Sequence, residues 1–154
     1  MIRVAQWLAL AVFFAFAFSA AEAAAQGFPA SLKGQIIANA KPIDVPTAQK
    51  NFGAVLKKQD RKNFKKDEEG KYTIHFVAFF SKPAPVDTIG VVVLDEKKEA
   101  IAVAEVPNQK GQVSLSSMIV VESTETPKKK HVLQVFYASG KKPVVLAKKE
   151  LILK

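Results

Sequence analysis

His75 and His131 are the only imidazoles in this 154-residue chain, and cysteine is absent. Those two facts decide most of the available chemistry. No thiolate can serve as nucleophile or metal ligand. A zinc site needs three or four Cys, His or carboxylate donors, and two histidines 56 positions apart do not make one by spacing. Beyond residue 25, serines stand at Ser31, Ser81, Ser114, Ser116, Ser117, Ser123 and Ser139, none of them in a G-x-S-x-G turn. Carboxylates cluster as Asp67-Glu68-Glu69 and Asp95-Glu96, each beside lysines, which is the pattern of solvated turns and not of a calcium loop. No glycine-rich loop is present to cradle a phosphate. The expectation is a non-enzyme that carries no cofactor and no metal. The one catalytic alternative is a small hydrolase whose carboxylate pair or Ser/His site has no local motif.

What the chain does carry is positive charge. Lys and Arg number 23 against 14 Asp and Glu, a formal charge of +9. The densest run is Lys57, Lys58, Arg61, Lys62, Lys65 and Lys66, followed by Lys128, Lys129 and Lys130. Almost all of these are lysine. Arginine supplies the planar fork that reads bases and grips phosphate bidentately, whereas lysine is a point charge. Sequence-specific nucleic-acid recognition is therefore not expected. Two roles suit lysines of this density. They can solubilise the protein and guard sheet edges against pairing with other chains. They can also contact an anionic envelope polymer, a phosphorylated glycolipid or a membrane surface. The nine residues named are the candidate anion contacts. A protein partner docked along a sheet edge is a third expectation.

Residues 1–25 read as a secretory leader. Arg3 provides the positive start, 7–18 (WLALAVFFAFAF) is an uncharged apolar run, and 19–25 (SAAEAAA) is rich in small residues. Small side chains at Ala23 and Ala25 place the cut before Gln26, and Ala21 with Ala23 gives a second frame before Ala24. Retention as a membrane anchor is the alternative, although the apolar run from 7 to 21 falls short of the ~20 residues that span a bilayer. A periplasmic or secreted destination follows from the leader. It holds one base and one acid, so the exported chain keeps the +9.

The elements that must position the lysines are strands. Residues 71–81 (KYTIHFVAFFS) alternate with period two, placing Tyr72, Ile74, Phe76, Ala78 and Phe80 on a core face. The other face takes Thr73, His75, Val77, Phe79 and Ser81. Pro83 and Pro85 should then break the ladder. Further strands are expected at 86–94, 99–106, 112–122, 131–138 and 144–153, with the VVVL of 91–94 suggesting burial on both faces. A first strand is expected at 32–38. The segment 47–66 supports two readings. Its bases recur with helical spacing opposite Phe52, Leu56 and Phe64, giving a cationic amphipathic helix, expected as a short helix near 47–59 followed by a loop or short strand. Alternatively 63–67 is a strand and 68–70 a turn.

Seven strands with polar turns every 8–14 residues predict an all-β fold, a single antiparallel β-sandwich, with a closed barrel as the alternative. Strand count and spacing resemble an immunoglobulin-like constant-type sandwich, without the disulfide and buried Trp of antibody domains. The expected organisation is a leader at 1–25, an N-terminal strand and basic helix or loop at 26–70, and the main sandwich strands at 71–154, the last two forming one domain. The expected function is that of an exported, non-catalytic binding or structural module of the cell envelope.

Overall fold

A computed structural model describes residues 29–46 and 51–154. The expected leader, and residues 47–50 at the start of the expected helix, lie outside them. The described elements run β1 (Ile36–Asn39), α1 (Phe52–Gln59), β2 (Asn63–Phe64), β3 (Tyr72–Ala84), β4 (Thr88–Leu94), β5 (Ala100–Pro107), β6 (Gln112–Val121), β7 (Lys130–Ser139) and β8 (Lys142–Leu153). They form two sheets, three-stranded β1-β3-β6 and five-stranded β2-β8-β7-β4-β5. All seven expected strands are present. Leaving the short β2 aside, the chain changes sheet between β3 and β4, between β5 and β6, and again between β6 and β7. That is Greek-key wiring of the immunoglobulin-like kind, but the constant-type arrangement is corrected: there the fourth strand joins the sheet of the first two, whereas here β5 pairs with β4 in the other sheet. The eighth strand, β2, departs from the antiparallel expectation: it runs parallel to β8, pairing Asn63 with Ile152 and Phe64 with Leu153.

The period-two reading of β3 holds on its core face. Tyr72, Ile74, Phe76, Ala78 and Phe80 are all buried between the sheets, with Ile89, Val91, Val93, Leu133, Val135, Leu151 and Leu153 opposite. The other face is more apolar than a solvated face allows, because part of it is also covered. Val77 and Phe79 pack with Leu32, Ile37 and Leu56 in a second, smaller core. Phe52 meets Phe79 edge-on, with centroids 6.1 Å apart. Eight residues are too few for a helix to persist alone, so α1 is held by this contact. Lys57 and Lys58 lie in its last turn, where the helix dipole favours cations.

Pro83 does not end β3 as expected. The ladder to β6 jumps from Phe79–Ser114 to Ala84–Gln112, so Pro83 sits in an irregularity where no N–H is required. The two acidic turns share one device. Asp67 Oδ1 accepts the amides of Glu69 and Lys71, and Asp95 Oδ1 those of Lys97 and Glu99. The residue three positions on is left-handed in both, Gly70 at φ 78° and Lys98 at φ 64°. These carboxylates hold the backbone of tight turns.

A candidate anion-binding edge

Two contacts fix where the basic run of residues 57–66 goes. Asp60, just past α1, accepts the Ala38 amide on Oδ1 at 3.0 Å and the Lys149 ammonium on Oδ2 at 2.8 Å. The Arg61 amide then donates to the Ala38 carbonyl at 2.7 Å. These bonds pull the chain into extended form along β1, and the helix stops at Gln59. The expected short helix followed by a loop or short strand is found as α1 and β2: only Lys57 and Lys58 are helical, while Arg61, Lys62, Lys65 and Lys66 lie on an extended stretch around β2, so the six bases do not share one helix face. Phe64 belongs to the main core, not to the apolar face of α1.

The extended stretch runs beside the end of β8, with the Ile152 amide donating to the Lys62 carbonyl and the Lys154 amide to that of Phe64. On the other side of β8, Lys130 pairs with Ile152 in the β7 ladder, and the Lys128 amide donates to the Leu153 carbonyl. The two basic clusters, distant in sequence, therefore flank the same few residues. Their meeting point is Glu150: Lys62 Nζ stands 2.7 Å from Oε1, and Lys130 Nζ 3.5 Å from Oε2. The hydrogen bond from Lys62 is the largest influence and, with the charge of Lys130, holds the Glu150 carboxyl below its ordinary range against the opposing effect of burial.

The other cations take distinct places. Arg61 folds its guanidinium back on the main chain, Nη1 donating to the carbonyls of Lys58 and Asp60. It shapes the turn and presents less of its fork to solvent. Lys66 Nζ stands 6.0 Å from the Tyr72 ring centroid. Lys57, Lys58, Lys65, Lys128 and Lys129 are exposed and have no ion-pair partner among the described residues. The sequence reading missed Lys148, Lys149, Asp60 and Glu150 as members of this edge. The K-K-E string at 148–150 was the available signal, but only the β8 register sets it against Asp60 and Lys62.

Between β1 and β8, at the exit of α1, lies a groove of about 570 Å³ lined by Gln35, Ile36, four lysines (Lys57, Lys62, Lys148 and Lys149) and two carboxylates, Asp60 and Glu150, which pair with Lys149 and Lys62 and leave Lys57 and Lys148 as the cations without an ion pair there. Ala38 spends its ladder groups on Asp60 and Arg61, away from β3. By antiparallel alternation the amide and carbonyl of Ile36, two residues earlier, point the same way, into the groove. Ammonium groups converging beside an open main-chain amide can seat an anionic group, and lysine does not demand a planar one.

The histidines play other parts. His131 is fully buried, its Nδ1 donating to the Lys129 carbonyl at 2.9 Å and its Nε2 accepting from the Thr124 hydroxyl at 2.8 Å. It anchors the loop that carries Lys128–Lys130. His75 lies half-buried on the outer face of β3, opposite Asn39 and Met118. Burial lowers its pKa from the ordinary 6.5. The unfolded chain then binds a proton that the folded one resists. The stability contributed by neutral His75 is complete above about pH 6.5 and is lost as pH falls through the lower folded value. His75→Gln is expected to flatten the fall in urea midpoint between about pH 7 and pH 5. An identical fall in both proteins would show that His75 is not responsible.

No group of three or more His, Asp or Glu able to hold a metal ion occurs among the described residues. No family model matches the sequence, and no curated protein matches it either. Among solved structures the chain is similar to an FMN-binding beta-glucuronidase from Facaelibacterium prausnitzii L2-6, at 12% identity and a TM-score of 0.41. The match covers 58% of this chain and only 14% of the enzyme's, and a likeness of that size carries no argument about activity.

Proposed function

We propose that this protein is an exported, non-catalytic interaction module of the cell envelope that holds an anionic polymer along its β2-β8-β7 edge. The observation that carries the reading is the convergence of Lys62 and Lys130 on Glu150. It joins two lysine clusters into one surface, continued by Lys148 and ending in the groove beside Ile36. A flexible polyanion suits such an edge. Each exposed lysine adds a modest, screened attraction, and the sum gives affinity without a defined ligand shape.

The experiment is salt-dependent elution from a polyphosphate resin. Lys65, Lys66, Lys128 and Lys129 hold no ion pair among the described residues, so replacing all four by Gln is expected to leave thermal stability nearly unchanged. If each contacts the polymer, the slope of log affinity against log salt should fall by about 3, at ~0.7–0.9 per contact. Unchanged elution and slope in a folded variant would remove the polymer from this edge.

A further inference from the structure

The two sheets differ in what covers their outer faces. The outer face of β1-β3 is roofed by α1 and the residues around it. Among the described elements, none packs across the outer face of the five-stranded sheet, yet that face is mostly apolar. The registers place its side chains in rows across four strands: Val145, Phe136, Gly90 and Glu105; Lys148, Gln134, Val92 and Val103; Glu150, Val132, Leu94 and Ala100. An antiparallel sheet facing water normally alternates apolar-in with polar-out. Here Val91 and Val93 point into the core while Val92 and Leu94 point out, so the VVVL run is apolar on both faces. Val103 is left 64% exposed and Val145 39%. Phe136 lies flat over Gly90, where a Cβ would stand 2.6 Å from its ring, so the face is smooth as well as apolar.

The charges on this face are arranged for self-association. Glu105 stands at the β5 margin and Lys148 with Glu150 at the β8 margin; Glu150 is engaged by Lys62 and Lys130, so Lys148 is the charge there without an ion pair among the described residues, and mostly apolar positions lie between. A two-fold axis in the plane of the face and parallel to the strands exchanges these margins. It brings Glu105 of each copy within one row, about 7 Å along the strand, of the other copy's Lys148. An axis across the strands would instead set Lys148 against Lys148. We infer that the outer face of the five-stranded sheet is the interface of a face-to-face homodimer, with Phe136 and Val92 at its centre, Val103 and Val145 on its outer strands, and Glu105–Lys148 pairs at both margins. Four strands about 4.8 Å apart and about seven residues long project roughly 450 Å² per copy. That is below the standard interface, so the dimer should be weak and reversible.

Sedimentation equilibrium from about 10 µM to about 1 mM tests it. The weight-average mass should climb toward twice the monomer's. Val103 is exposed in the monomer, so Val103→Glu should leave the melting temperature unchanged and raise Kd at least tenfold. Glu105→Lys should weaken association about fivefold, and adding Lys148→Glu should restore it, which a partner of unrelated chemistry would not produce. A monomer at every concentration, a dimer indifferent to Val103→Glu, or a charge swap that fails to restore association each overturns the inference.

Discussion

Replacing His131 by alanine is expected to destabilise the fold by about 4 kcal/mol, lowering the melting temperature by roughly 10 °C or more. Two costs add. The ring is fully buried, so its removal leaves a cavity beneath the start of β7. It also removes two part-buried hydrogen bonds, to the Lys129 carbonyl and from the Thr124 hydroxyl, which keeps only Thr126 as a partner. Each such bond contributes about 0.5–1.5 kcal/mol. His131→Leu separates the terms, because it fills most of the volume and offers no hydrogen bond. It should still cost about 2 kcal/mol. A leucine variant as stable as the parent would mean that packing alone gives the site its value. The alanine variant should also lose retention on the polyphosphate resin below its melting temperature, because the loop of Lys128–Lys130 is ordered through that ring.

How far the sequence reveals this architecture depends on the range of the forces involved. Period-two alternation is local, and it places the core face of β3 residue by residue, from Tyr72 to Phe80. It also flags 91–94 as apolar on both faces. It does not reveal the second core, since Val77 and Phe79 owe their burial to Leu32 and α1, which are remote in sequence. The basic run is ambiguous for a sharper reason. Arg61, Lys62, Lys65 and Lys66 fit a helix and an extended strand equally well, and their own propensities do not choose. The choice is made by Asp60, whose partners lie 22 and 89 positions away. The candidate site was legible as composition, in its nine bases, and illegible as geometry, because Glu150 and Lys148 join it only through the β8 register.

The second large effect is expected at that same carboxylate. Asp60→Ala should destabilise the protein by about 3 kcal/mol, measured by urea unfolding. The Lys149 side chain is only 13% exposed, so removing its partner strands an ammonium that can reach little water. Asp60→Asn should cost less, because the remaining carbonyl can still accept the Ala38 amide at the open margin of β1. The decisive variant is the double change Asp60→Ala with Lys149→Met. If the penalty lies mainly in the stranded charge, removing that charge should recover more than half of it, leaving about 1 kcal/mol for the orphaned amide. If the double variant is as unstable as Asp60→Ala alone, the value of Asp60 lies in fixing the main chain where α1 ends. In that case its loss should let residues 61–66 leave the β8 edge, and retention on the polyphosphate resin should fall together with stability.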